Sequence, residues 1–131
     1  MYKLSQRSKD KLSGVKTRLI AVVTSAIEHT TVDFGVIQGL RTLEEQKELV
    51  AKGASQTMKS KHLTGDAVDL IAYVGSRASW ELNLYDNIAD AMKRAAEICD
   101  VGIRWGCAWH IPDIREYDGS MQDAMNDYID L

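Results

Sequence analysis

The sequence of 131 residues, 45% hydrophobic and 27% charged, has the size and composition of one globular domain rather than two. Sixteen Lys and Arg against nineteen Asp and Glu give a net charge of -3, which excludes a general nucleic-acid binder. A single proline and two cysteines exclude a long low-complexity linker and a disulfide scaffold.

Ser5 or Ser8 is placed to cap a first helix. Its apolar positions Leu12, Val15, Leu19, Val22, Val23, Ala26 and Ile27 recur at three- and four-residue spacing and run to about His29. Residues 32–38 are β-branched and aromatic and predict a strand closed by Gly39. Thr42 with Glu45 three residues on forms a capping-box pattern, predicting a helix over 43–52 that stops at Gly53. Residues 54–65 read as a polar loop, 67–73 as a short buried strand and 74–79 as a turn. A third helix is expected over 84–100, with Ile88, Met92, Ala95, Ala96 and Cys99 on its buried side. Residues 101–106 predict another strand, and 113–126 an acidic, weakly helical stretch. The fold class is α+β, a small antiparallel sheet of three or more strands packed against helices.

Charge is uneven. Residues 1–20 carry six basic side chains and one acid, residues 111–131 six acids and one base. A solvated helix face and a polar tail account for this; a sharper reading brings the basic end to an anionic surface such as a cell envelope. No apolar run has the length of a membrane span or a signal peptide. Cys99 reads as a buried thiol, and Cys107 would be a nucleophile only beside a base.

The chemistry concentrates in Ser60-Lys61-His62-Leu63-Thr64-Gly65-Asp66-Ala67-Val68-Asp69. A histidine on a polar loop precedes an aspartate on an apolar strand by seven residues, and Gly65 lets the chain turn between them. Imidazole and carboxylate converging on one point make a first-row metal pair, zinc above all. Taken singly, His62 reads as a surface histidine and Asp69 as a hydrogen-bonded carboxylate. A charge on an apolar strand is costly unless paired, and a cation is one remedy.

The arrangement Ser60, His62, Gly65, Ala67, Asp69 resembles the metal-binding signature of the M15 zinc peptidases, which include D-Ala-D-Ala carboxypeptidases and the L-alanyl-D-glutamate endopeptidases of phage lysins. Val36-Ile37-Gln38-Gly39-Leu40-Arg41-Thr42 with the Gln-bearing helix that follows, and Gly102-Ile103-Arg104-Trp105-Gly106, resemble the family's strand-Gly-x-Arg-Thr-helix segment and its late strand beside the site. The resemblance covers about residues 4–110 and is nearest to single-domain phage endolysins.

It implies that His62 and Asp69 ligate zinc and that Arg41 holds a substrate carboxylate or the developing oxyanion. It implies that Ser60 orients the His62 loop and contributes to substrate binding, while zinc-activated water attacks the amide. The family also implies a third zinc ligand and a general-base carboxylate near the C-terminus. Besides His62 the chain has only His29 and His110. His29 reads as a surface residue.

Three expectations follow: a domain over 1–131 incomplete by a last strand relative to the family, His110 as third ligand in a rearranged site, or a zinc-poor homologue that binds wall peptides without cutting them. In the second, Asp113, Glu116 or Asp127 could serve as base. The leading expectation is a zinc-dependent peptidase of the L-alanyl-D-glutamate bond in peptidoglycan stem peptides. The alternatives are a D-Ala-D-Ala carboxypeptidase and a non-catalytic wall-binding module. The resemblance further implies a monomer without stable membrane insertion, made in the host cytoplasm and reaching periplasmic peptidoglycan with a holin.

Overall fold

The computed structural model describes residues 1–131. Helices α1 (Gln6–Lys11) and α2 (Thr17–His29) lead into strand β1 (Asp33–Gln38) and helix α3 (Leu43–Ala51). A 3-10 turn (Lys61–Thr64) precedes strands β2 (Asp69–Val74) and β3 (Arg77–Ser79), followed by the long helix α4 (Leu82–Cys99). Two further 3-10 turns, Gly106–Ala108 and Ile114–Glu116, lead to α5 (Met121–Ile129). No helix is long and apolar enough to cross a membrane.

The sheet is antiparallel, in the order β1-β2-β3. Its inner face and the apolar faces of α2 and α4 enclose the main core, in which Val22, Val23, Ala26, Phe34, Ala72 and Ala96 are almost wholly buried. A smaller core under α5 joins Ala89, Ala108, Ile114, Met121 and Ala124. The α+β class expected from the sequence is the class observed.

Four local expectations are corrected. The first helix is two, because the chain turns at Gly14 with φ +85° and restarts at Thr17. The turn over 74–79 is a hairpin whose return strand is β3, with Gly75 at φ +63° in its bend. Residues 101–105 pair with no strand: they run without regular structure, and the 106–108 turn follows directly. The last stretch is better ordered than expected, with Ser120 capping α5 through the Asp123 amide.

Two irregularities place the site. The register of β1 on β2 slips between Val36 and Gln38, so that Gln38 stands opposite Asp69 and the chain leaves the sheet beside that carboxylate. Gly39 then passes so close to α1 that a β-carbon there would lie 2.1 Å from the Lys11 carbonyl oxygen. Only glycine fits, which fixes where Arg41 begins its reach.

Candidate active site

Arg41, Ser60, His62 and Asp69 come together at the end of the sheet: the spacing implied this for His62 and Asp69, the family resemblance for Arg41 and Ser60. The chain segments carrying them are stitched by backbone bonds. The Arg41 amide donates to the His62 carbonyl at 2.9 Å, and the His62 ring Nδ1 lies 2.8 Å from the Gly39 carbonyl oxygen. A carbonyl only accepts, so Nδ1 carries the proton and the neutral ring presents its Nε2 lone pair outward. That nitrogen faces Asp69 Oδ1 at 3.4 Å. Ser60 caps the 3-10 turn by accepting from the His62 amide at 3.2 Å. Gly65 ends the turn in the left-handed region at φ +75°, where a β-carbon would meet the Gly14 carbonyl at 2.5 Å. The glycine between the two ligating candidates therefore serves the sharp turn expected of it.

His62 is buried, whereas the Asp69 side chain is half exposed. This corrects the expectation of a carboxylate within a buried strand: Asp69 is the first residue of β2, at the mouth of the site. The hydrogen bond with Asp69 raises the His62 pKa above the ordinary imidazole value, against burial, which lowers it; the Gly39 carbonyl adds to the rise. Arg41 is itself buried, with Nη2 3.8 Å from Asp69 Oδ2 and Nη1 2.7 Å from Gln46 Oε1 and 3.4 Å from Ser60 Oγ. Its Nε has no partner. The cluster is thus one imidazole, one carboxylate and one guanidinium: the charged ring pairs its Nε2–H with Asp69, and the neutral ring turns a lone pair to the same side.

An open groove of about 760 Å³ runs from Asp69 along β2 to the 101–109 segment, lined by Leu70, Tyr85, Ile103, Arg104 and Trp105 among others. The late segment expected to flank the site does so, as an unpaired wall of this groove. Arg104 stacks over the Trp109 ring at 4.0 Å and donates to the Trp109 carbonyl.

His110 does not join the pair. Its ring stacks on Tyr128 of α5 at 5.4 Å, and no group of three or more His, Cys, Asp or Glu side chains is arranged to hold a metal. The reason is the 106–108 turn and α5, which were not legible as a packed unit and which engage His110. Asp113 is bound to Arg115 and Asp127 to the Tyr117 hydroxyl, so neither stands free as a base. His29 lies on the outside of α2, its Nδ1 2.8 Å from the Ser25 carbonyl oxygen. Burial and the nearby Asp86 carboxylate push the Cys107 thiol pKa up, the opposite of an activated nucleophile. Sequence reading singled out no role for Gln46, which is fully buried beside Arg41. The signal available was a polar residue on the inward stripe of α3.

The donor chemistry can be tested against zinc. A neutral imidazole nitrogen with its other nitrogen bonded to a carbonyl, opposite a carboxylate oxygen, is the pairing zinc takes in catalytic sites. His62 and Asp69 fit as two donors, and no third protein donor stands with them.

The chain is similar to known peptidases. Residues 1–130 match the model of the family described as phage L-alanyl-D-glutamate peptidase. The chain is 31% identical over 113 residues to the L-alanyl-D-glutamate peptidase of Escherichia phage T5, covering 83% of this chain and 82% of that protein. It is 33% identical over 82 residues to the L-alanyl-D-glutamate peptidase of Listeria phage A118, covering 63% of this chain and 28% of that longer protein. Among solved structures it resembles the Serratia marcescens L-Ala D-Glu endopeptidase ChiX, with 38% identity and a TM-score of 0.76 over 87% of this chain and 92% of that one.

Proposed function

The chain belongs to the phage L-alanyl-D-glutamate peptidase family, and from that premise we propose that it cuts the L-alanyl-D-glutamate bond of peptidoglycan stem peptides with zinc held by His62 and Asp69. The observation that carries the reading is the convergence of His62 Nε2 and the Arg41 guanidinium on the carboxylate of Asp69, which itself lines the groove.

When bound, zinc supplies a Lewis acid that polarises the scissile carbonyl and eases deprotonation of water. The protein's own groups do the rest. The Gly39 carbonyl holds the His62 proton on Nδ1 and so keeps Nε2 a donor. Asp69 brings the negative charge that a dication requires and, being half exposed, leaves the mouth open to substrate. Arg41 presents Nη2 from a buried stem, where a substrate carboxylate or the charge developing on the carbonyl oxygen gains most from a guanidinium. Ser60 fixes the turn that carries His62, within reach of the same guanidinium. The groove beyond Asp69 has apolar walls with Arg18, Lys61 and Arg104 among its lining, suited to an extended peptide with acidic groups.

In this reading the protein is a monomer of the M15 type, made in the host cytoplasm and acting on periplasmic peptidoglycan with passage provided by a holin. Digestion of purified muropeptides followed by mass spectrometry tests it. The expected products are stem-peptide fragments beginning at D-glutamate. Loss of a single terminal D-alanine would assign a carboxypeptidase instead, and undigested muropeptide bound to the protein would assign a wall-binding module.

A further inference from the structure

We propose that Gln46 is a positioning residue for the peptide-cutting reaction, clamping the Arg41 guanidinium towards Asp69 and tying the 55–60 loop to the same point; this rests on the reading of Arg41, His62 and Asp69 as the reactive cluster. Gln46 is fully buried on α3, and both ends of its amide are engaged. Oε1 accepts from Arg41 Nη1 at 2.7 Å, while Nε2 donates to Ser55 Oγ at 2.9 Å and to the Thr57 carbonyl at 2.5 Å. The orientation of the amide is fixed by its partners. A guanidinium can only donate and a backbone carbonyl can only accept, so the oxygen must face Arg41 and the nitrogen Thr57.

Arg41 has few other holds. Nε is buried without a partner, Ser60 Oγ is at 3.4 Å, and the approach to Asp69 at 3.8 Å is longer than a hydrogen bond. A long arginine side chain would otherwise sample several rotamers, and one short charge-assisted bond from a braced amide selects among them. The same amide reaches across to the irregular loop between α3 and the 3-10 turn. Thr57 and Ser55 are drawn to α3, and three residues later Ser60 caps the turn that carries His62. Burying an amide costs free energy that an apolar side chain of equal length would not, so a packing role alone gives no reason for glutamine here. Gln46 touches neither His62 nor Asp69 through any bond and acts through Arg41 and the loop.

The test uses two readouts on the full chain. In ¹⁵N NMR spectra, the buried Arg41 Nε–H gives a narrow signal in the unmodified protein. Gln46→Met broadens or displaces it while the Arg115 Nε–H signal, held by Asp113, stays put and reports an intact fold. Gln46→Glu keeps the side-chain length, places a charged acceptor on the same nitrogen and moves the Arg41 signal. On muropeptides, Gln46→Met lowers kcat/KM by about tenfold, and adds no further loss in an Arg41→Ala background. An Arg41 signal unchanged by both Gln46 variants overturns the clamp, as does an equal loss of activity in the presence and absence of Arg41. If Gln46→Met does not fold, the Gln46→Glu spectrum alone decides. A protein that cuts no muropeptide overturns the functional reading, and the Arg41 signal then still decides the clamp.

Discussion

Around His62 the chain is held by buried polar bonds, whereas the region of residues 106–129 is held by apolar packing rimmed with exposed charge. In the first region Arg41, Gln46 and His62 are all buried, and their partners come from three separate segments. In the second, Ala108, Ile114, Met121 and Ala124 form a small apolar core, and Arg115 pairs with Asp113 and with the fully solvated Asp100. Buried polar networks cost desolvation and return geometric definition, while apolar cores return stability without directing any group. The contrast separates the part of the molecule that orients the reactive groups from the part that supports them and completes the groove wall.

The largest expected effects lie in the first region and fall on activity. His62→Ala or Asp69→Ala should reduce muropeptide cleavage to the level of a blank while leaving the melting temperature within a few degrees, as read by circular dichroism. Met121→Ala should do the reverse. Removing a wholly buried side chain from the small core should cost about 3 kcal/mol in urea unfolding, with cleavage per folded molecule unchanged. Loss of activity in both variants would mean that the two regions are one cooperative site.

A smaller effect is expected at the α3 cap. Thr42 and Glu45 exchange side-chain and backbone bonds as their spacing predicted. Thr42→Ala should therefore cost about 1 kcal/mol of stability, with a partial loss of cleavage because α3 carries Gln46.

The smallest effect is one of pH, and its sign differs between the regions. The His62 pKa is raised, chiefly by its bond to Asp69, so in metal-free protein that pairing stabilises the fold below the ordinary imidazole value. Its contribution disappears as pH rises through the folded value. The Asp113 pKa is lowered, chiefly by its hydrogen bond with Arg115, so that pairing is present above the ordinary carboxylate range and is lost as pH falls through the folded value. Urea unfolding from pH 3 to 9 should show His62→Asn narrowing its gap to the parent at alkaline pH. The Asp113→Asn gap should narrow at acid pH. Parallel curves would contradict the two assignments.

What was legible in the sequence follows the same division. The capping box at Thr42, the Gly65 turn and the His62–Asp69 spacing are local, and each was readable because a few consecutive residues determine it. The class of fold followed from periodicity, since the stripes on α2 and α4 and the β-branched run in β1 each mark a buried face. Residues 101–106 looked like a strand because their composition suits one, but pairing depends on a neighbour, and β3 takes the place beside β2 from Ala72 to Val74. Ser79 ends that ladder with help from Tyr85, whose hydroxyl accepts from the Ala72 amide and donates to the Ser79 carbonyl. The glutamine of α3 was part of the resemblance, but the bonding of Gln46 was not legible, because two of its partners lie nine and eleven residues away in an irregular loop. His110 was drawn towards the site by residue type and by its place just after residues 101–106, and its stacking on Tyr128 depends on an α5 position that no local pattern encodes.

The central claim, that His62 and Asp69 hold the metal that makes this cluster a peptidase, is tested most directly by cleavage of a purified stem peptide after chelation and zinc restoration. The account predicts that the parent protein stops cutting in chelator and recovers with zinc, while His62→Ala cuts in neither condition. Cleavage that persists in chelator, or that zinc restores to His62→Ala, would contradict it.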